Sequence, residues 1–475
     1  MREDDDAWAL QSRVLAASRR ARHAIFLGET WGELVFAPEE NGVLVLGPPR
    51  SGKTSSVVVP NVLAAFGPVV AVSTKRDVLD ATLSARARLG ECLVFDPTRS
   101  VDDLPGARRV GWSPLRSSRS WDGAVLTAEA MVGASREGRN SLEGSHWTER
   151  ASALLSTLFH AAALSDCAFS DVVSAVNRRE PQRFSSVLAR ADADQALDLL
   201  KGLTETEERE QSAIWSTASS VLSGYRTTAA VENAAMPSVD GDGFVASCST
   251  LYIAAPAEHQ LHLAPLVAGV LRDIRTAAYR RFASTPIAPA PTLFVLDELA
   301  NIAPLHDLPV LVAEGASQGV VTLACLQDLS QARARYGAAA DGFLTLFGTK
   351  LVLSGVSDLR TLEALSALSG RHDLTTLSRS SSRVSGRFRR QRTITATLRS
   401  EPRLAIDHLA RPPRGSAVAF IGAEPRRIGL TPCFSSPTWS RICTPEGRGE
   451  VAATRRFRGQ LGRRLGGELR GRSEL

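Results

Sequence analysis

Short apolar runs recur along this chain, separated by stretches whose apolar residues follow helical spacing. Val43–Leu46, Val69–Val72, Cys92–Phe95, Thr250–Ala254, Thr292–Leu296, Val320–Cys325, Leu351–Ser354 and Ala417–Ile421 each read as a buried strand. Strands alternating with helical segments predict an α/β fold with a mostly parallel, helix-covered sheet. A helix from His259 to Phe282 and a Pro/Ala linker from Pro286 to Pro291 lead into the strand at Thr292. Residues 120–240 break the alternation. They are rich in Ala, Leu and Ser, and Trp147, Ala151, Leu154, Leu155 and Leu158 fit one helix face. Phe184, Val187 and Leu188, then Leu197, Leu199 and Leu200, suggest two more helices. Thr204-Glu205-Thr206-Glu207 has the capping-box pattern for a fourth, running through Trp215 and Val221. These residues predict an all-helical domain inserted in the α/β core.

The pattern divides the chain into five parts. Residues 1–40 form a helix, from Trp8 to about His23, and a lead-in strand around Glu33 to Phe36. Residues 41–119 are the first part of a nucleotide-binding core, 120–240 the helical insertion, 241–435 the rest of the core, and 436–475 a basic tail.

Chemistry enters at Gly47-Pro48-Pro49-Arg50-Ser51-Gly52-Lys53-Thr54, a full G-x-x-x-x-G-K-[ST] phosphate loop. It follows a strand and opens a helix, the context the motif requires. The segment from Gly47 through Ser55 would close around the phosphates of ATP, its glycines letting backbone N–H groups approach them. Lys53 would reach the β- and γ-phosphates, and the Thr54 hydroxyl would hold Mg²⁺. The strand at Thr292 ends in Asp297-Glu298. An acid at the end of a neighbouring strand organises Mg²⁺ and its waters, the role expected of Asp297. Glu298 is expected to orient and polarise the attacking water. Lys53 and Asp297 stand 244 positions apart, room enough for a large insertion.

Composition changes this picture little. The 475 residues carry a net charge of +6, which permits an anionic partner without requiring one. Only four of the 56 basic residues are lysine, a bias better ascribed to a GC-rich genome than to function. Cysteines at 92, 167, 248, 325, 433 and 443 lack metal-ligand spacing and read as reduced thiols of a cytosolic protein. The 21 residues from Thr54 to Thr74 carry no charge, but they begin inside the phosphate loop and contain Pro60, Asn61, Gly67 and Pro68. They read as a helix and the next strand, since a membrane span there would pull the loop into lipid. No other stretch is a candidate span, and Met1-Arg2-Glu3-Asp4-Asp5-Asp6 is no signal peptide. Residues 378–399 hold arginines 379, 383, 387, 389, 390, 392 and 399 and no acid; residues 451–475 hold seven more. Both read as mobile or solvated segments. The first is either a plain surface loop or a nucleic-acid contact.

Asp297-Glu298-Leu299-Ala300-Asn301-Ile302-Ala303-Pro304-Leu305 resembles the acidic motif of the type IV coupling proteins. These are the TraG/TraD-like ATPases of conjugation and type IV secretion. Gly319–Gln327, followed by Leu329-Ser330-Gln331 and Tyr336-Gly337, resembles that family's next motif. The resemblance spans about residues 41–435 and implies a RecA-like core. It also implies a homo-hexameric ring with ATP at each interface, pumping single- or double-stranded DNA, and a relaxase or other secretion component as partner. Gln327 matches the family's γ-phosphate sensor, although a buried glutamine capping a helix is the ordinary alternative. Two features depart from the family. Its usual N-terminal membrane helices have no counterpart here, so a cytoplasmic chain is expected, held at the inner face of the membrane, if at all, through an anchored partner. Ala316 stands where many members carry an arginine that reaches the neighbouring subunit's phosphate, and Arg333, Arg335, Arg360 and Arg371 are the substitutes that position suggests. Rival readings are an FtsK-like double-strand translocase or secretion ATPase, and a nucleotide-gated adaptor that does not hydrolyse ATP. The helical insertion argues against the first, and intact Lys53, Thr54, Asp297 and Glu298 against the second.

Overall fold

The computed structural model describes residues 2–135, 142–165, 167–285, 288–303, 305–383 and 390–443. Its centre is one sheet of 12 strands. In chain order the strands are β1 (Phe26–Thr30), β2 (Glu33–Phe36), β3 (Val43–Leu46), β4 (Val69–Ser73), β5 (Cys92–Phe95), β6 (Ala107–Val110), β7 (Thr250–Ala254), β8 (Thr292–Leu296), β9 (Val320–Leu326) and β10 (Thr349–Val352). A separate pair, β11 (Arg371–Arg383) and β12 (Arg390–Pro402), precedes β13 (Ser416–Ile421) and β14 (Glu424–Gly429). The order across the sheet is β2-β1-β14-β13-β10-β3-β9-β8-β4-β7-β5-β6. From β10 to β6 every neighbouring pair is parallel. β13, β14, β1 and β2 add an antiparallel margin.

Of the strands at apolar runs, β3, β4, β5, β8 and β9 are buried along their whole length. Both faces of these strands are covered. Leu44, Leu46, Val70, Val72, Leu93 and Phe95 share one apolar cluster with Ala128 and Met131 of the helix Trp121–Ala134 and with Leu266, Val267 and Val270 of the helix Gln260–Ser284. Val43, Val45, Val69, Ala71, Cys92 and Val94 share another with Val57, Val62 and Leu63 of the helix after the phosphate loop, and with Val78 and Leu79 of the helix Asp77–Ala87. Between β6 and β7 the described residues form helices, among them Leu142–Ala163, Phe169–Arg178, Gln182–Arg190, Asp194–Thr204, Glu208–Val221 and Thr228–Ala235.

Two buried polar groups tie these layers together. The Asn61 side chain accepts from the Phe26 backbone N–H at 2.8 Å and donates to the Phe26 carbonyl at 2.9 Å. The uncharged stretch Thr54–Thr74 is thereby pinned to the antiparallel margin. Arg86 is fully buried and donates to Thr250 Oγ1 at 2.6 Å, Gly67 O at 3.0 Å, Cys248 O at 2.8 Å and Ala65 O. Burial presses its pKa down, yet four acceptors satisfy the guanidinium.

Several local expectations are corrected. The N-terminal helix is Arg2–Arg20, earlier than the predicted Trp8 start, and β1 follows it unforeseen. β10 lies two residues upstream of the predicted run. The Thr204–Glu207 capping box does not form. Thr204 closes a helix, its hydroxyl bonding back to Leu200 O and Lys201 O at 3.0 Å each, and Glu207 precedes the next helix without a side-chain cap. β6 escaped notice because Ala107-Arg108-Arg109-Val110 lies at the sheet edge, where charge is tolerated. The arginine-rich segment 378–399 is not a loose loop. Its described part belongs to the antiparallel ribbon β11–β12, paired from Arg371↔Pro402 to Arg383↔Arg390. Residues 384–389, with Arg387 and Arg389, lie outside the described residues. The tail does not begin at residue 436 as a basic extension. Trp439, Ile442 and Cys443 are buried, and Trp439 stacks edge-on against Phe26 with ring centroids 5.2 Å apart. Residues 444–475 lie outside the described set.

Candidate nucleotide site

The phosphate loop lies at the carboxyl end of β3, in the middle of the parallel block. Gly47 takes its place because a Cβ there would fall 2.6 Å from Ser51 Oγ; Gly52 does so because its φ is +97°. Arg50 also adopts a left-handed φ of 65°. The following helix opens with a π-helical turn, Thr54–Val58, a distortion often found at functional sites. Cys433 N–H donates to the Ser55 carbonyl at 2.8 Å, so the segment after β14 braces this turn. Lys53 Nζ donates to the carbonyls of Gly47 and, at 3.1 Å, Pro48.

The strand order brings the distant acids to this loop. β9 lies between β3 and β8, and β4 lies on the other side of β8. The Thr54 hydroxyl donates to Asp297 at 3.0 Å to Oδ2 and 3.3 Å to Oδ1. Ser73 Oγ, at the end of β4, lies 3.4 Å from Asp297 Oδ2. Burial pushes the Asp297 carboxyl above its ordinary range, opposed by the Thr54 bond, the Lys53 charge and Ser73. Glu298 is also pushed up by burial and by Asp297, against Lys53, Gln331 and Asn301. Asn301 Nδ2 donates to Glu298 Oε1 at 2.8 Å. Gln327 follows the end of β9, and its backbone N–H donates to Gln331 Oε1 at 2.8 Å.

Thr54, Ser73 and Asp297 form a compact set of hard oxygen donors, fitting a magnesium ion that keeps water and phosphate among its ligands. Among the described residues no group of three or more His, Cys, Asp or Glu could hold a metal ion. Lys53, Thr54, Asp297, Glu298 and Gln327 thus gather at the carboxyl ends of β3, β8 and β9. Three participants were not foreseen: Ser73, Asn301 and Gln331. Asn301 and Gln331 carry a signal in their spacing, three residues after Glu298 and four after Gln327. Ser73 carries none beyond being a hydroxyl at a strand end.

The substitutes suggested for the missing arginine are mostly engaged. Arg333 pairs with Asp358 at 2.6 Å, Arg335 donates to Gly133 O at 2.5 Å, and Arg371 donates to Ser400 O at 2.7 Å. Arg360 is exposed. Ala316 sits in a 3₁₀ turn before β9, at the sheet end opposite the phosphate loop.

The architecture and the loop define a P-loop nucleotide-binding fold with a helical insertion. Residues 291–414 match the family model described as the TraM recognition site of TraD and TraG. Solved structures extend the likeness to nearly the whole chain. The bacterial conjugative coupling protein TrwBdeltaN70, in its unbound monoclinic form, superposes with a TM-score of 0.65 at 18% identity, covering 87% of this chain and 90% of that one. The plasmid coupling protein TrwB in complex with the GTP analogue GDPNP, and in complex with ADP and Mg²⁺, each give 0.61 at 19% identity, covering 87% of this chain and 91% of theirs. Among curated proteins no sequence matches. The fold is therefore that of the conjugative coupling proteins. Among the described residues no helix is long and apolar enough to cross a membrane.

Proposed function

We propose that this chain is an ATP-driven, DNA-translocating coupling ATPase of a conjugative or type IV secretion system. The observation that carries the reading is the 3.0 Å contact between the Thr54 hydroxyl and Asp297, which joins the phosphate loop to an acid 243 residues away. Lys53 would swing from the Gly47 and Pro48 carbonyls onto the β- and γ-phosphates of ATP. Thr54 and Asp297 would hold Mg²⁺, which supplies charge neutralisation across those phosphates. Glu298, beside them and fixed by Asn301, would orient the water and accept its proton. Gln327, between the loop and the acids, would report the state of the γ-phosphate. The named relatives bind GDPNP or ADP and Mg²⁺ on the same fold, which supports ATP and Mg²⁺ as ligands. The match over 291–414 supports a protein of the DNA-processing complex, a relaxase or its accessory factor, as partner. A homo-hexamer assembled on DNA completes the proposal, with membrane attachment through a partner.

A second reading has one observation in its favour. Ala316 replaces the trans-acting arginine, and Arg333, Arg335 and Arg371 are committed within the chain. A ring that binds ATP and docks cargo without hydrolysis fits those facts. Steady-state ATPase assays with and without single-stranded DNA separate the two. DNA-stimulated hydrolysis, lost in Glu298→Gln with nucleotide affinity retained, is expected. Tight ATP binding with no turnover in any condition would leave the adaptor reading.

A further inference from the structure

We propose that Gly133, in the first helix of the insertion, is the joint through which the helical insertion and the nucleotide site sense each other. The inference rests on the ATPase reading above and names how that site is regulated. Two segments that start at the nucleotide site converge on this one residue. Arg335 donates to the Gly133 carbonyl at 2.5 Å. His306 approaches so closely that a Cβ on Gly133 would fall 2.8 Å from the His306 Cβ. The φ of Gly133 is not left-handed, so the neighbour and not the backbone excludes a side chain there. Glycine is otherwise a poor residue for a helix such as Trp121–Ala134.

Both segments begin beside residues that would read the γ-phosphate. Arg335 lies on the helix Leu329–Tyr336, directly after Gln327. Gln331, one turn earlier on the same face, accepts from the Gln327 backbone N–H at 2.8 Å. Gln331 and Arg335 stand about 6 Å apart along the helix axis, so a single turn joins the end of β9 to the insertion. Arg333 pairs with Asp358 at 2.6 Å, and Leu329 N–H donates to Thr361 Oγ1 at 3.1 Å, which holds this helix to the segment after β10. His306 lies eight residues after Glu298, whose Oε1 accepts from Asn301 at 2.8 Å. Asp307 beside it pairs with Arg275 of the helix Gln260–Ser284. The receiving helix has little slack. Its Thr127 hydroxyl accepts from Arg272 of that long helix at 3.0 Å. Its Ala128 and Met131 share an apolar cluster with Leu154, Leu155 and Leu158 of the helix Leu142–Ala163. Interiors packed in this way pass small displacements on instead of absorbing them. A shift at Gln327 or Glu298 on nucleotide binding thus reaches the insertion at Gly133. By linkage, DNA held by the insertion acts back on the nucleotide.

The test follows backbone hydrogen–deuterium exchange and ATPase rate in the full chain and in Gly133→Ala, Arg335→Ala and Gly133→Ala/His306→Gly. In the parent, a non-hydrolysable ATP analogue should slow exchange in the phosphate loop and change it in the helix Trp121–Ala134. Gly133→Ala and Arg335→Ala should keep the response of the loop and lose that of the helix. Gly133→Ala should also keep the basal ATPase rate while losing its stimulation by single-stranded DNA. The double variant moves a carbon from one side of the contact to the other, so it should regain both the helix response and the stimulation. It decides the matter if Gly133→Ala alone is unstable. A parental helix response in Gly133→Ala and Arg335→Ala overturns the proposal, and so does a double variant that regains neither property. The exchange measurement needs no hydrolysis, so it reads the joint even in a ring that only binds ATP. A parent loop that does not respond to the analogue overturns the nucleotide-site reading itself. A responsive loop beside an unresponsive helix overturns this inference alone.

Discussion

Asp297 carries its charge where little water reaches it, and that has consequences for stability as well as for magnesium. Burial holds its folded pKa above the value of the unfolded chain. At neutral pH the folded state therefore bears a charge that the unfolded state bears more easily. The cost fades as pH falls through the raised value, since the folded carboxyl takes up its proton first. Asp297→Asn should accordingly raise the melting temperature near pH 7, a gain that shrinks toward acid pH, while weakening Mg²⁺-dependent nucleotide binding. A lower melting temperature at pH 7 would mean that the bonds from Thr54 and Ser73 to the charge outweigh its burial. Lys53 supports a complementary prediction. Its ammonium now rests on two carbonyls of the loop. Lys53→Ala should abolish tight ATP binding, read by fluorescent-nucleotide titration, while the circular dichroism of the helical insertion stays that of the parent. At this scale the motif residues were legible because loop and acid chemistry demand fixed residue types at fixed spacing. Ser73 was not, because what it contributes is proximity across strands, and strand order is not written in any local pattern.

The ribbon β11–β12 shows how an element can be misread from composition. Seven arginines with serines between them suggested a solvated segment, yet Thr375, Thr376, Thr393, Ile394, Thr395 and Thr397 give it strand propensity. Each strand has 13 residues, an arm on the order of 40 Å long at ordinary strand rise. Opposed residues share a face. Thr376↔Thr397 and Ser378↔Thr395 line one, and Thr375↔Leu398, Leu377↔Ala396 and Arg379↔Ile394 the other. Arg383↔Arg390 and Ser381↔Arg392 are further register pairs toward the free end. A basic two-stranded ribbon suits a nucleic-acid backbone, and its sequence-independent contacts release counterions. Replacing Arg379, Arg383, Arg390 and Arg392 with Ala should weaken DNA binding and flatten its salt dependence, with ATP affinity retained. Equal DNA affinity and salt slope in that variant would assign the ribbon another partner. The buried elements gave the opposite experience: β3, β4, β5, β8 and β9 were legible as continuous apolar runs because both their faces meet helices. The edge strand β6 and the strand β14 of the antiparallel margin carry arginines, and no run marks them.

At the scale of the whole molecule, the phosphate loop and the acids lie at the carboxyl ends of the central strands, and the proposed ring would close that site from a neighbouring subunit. Arg333, Arg335 and Arg371 are occupied by Asp358, Gly133 and Ser400, which leaves exposed Arg360 as the remaining candidate among the four to act on a neighbour's phosphate. It precedes Thr361, which binds the Asp358 carboxylate and caps Leu329. Arg360 is therefore fixed near the segment that also holds the helix carrying Gln331. A site completed in trans makes hydrolysis depend on assembly. Specific activity should rise with protein concentration and saturate, and DNA should lower the concentration at which it does so. Analytical ultracentrifugation under the same conditions should show oligomers where the rate rises. Arg360→Ala should then lose hydrolysis while keeping ATP affinity and assembly. Mixing it with Lys53→Ala, which lacks a working loop but retains Arg360, should restore part of the rate, because each variant supplies the half that the other lacks. A concentration-independent rate in a monomer would remove the trans-acting arginine altogether. Failure of the mixture to recover activity, with both variants assembling, would move the search from Arg360 to a residue beyond the described part of the chain.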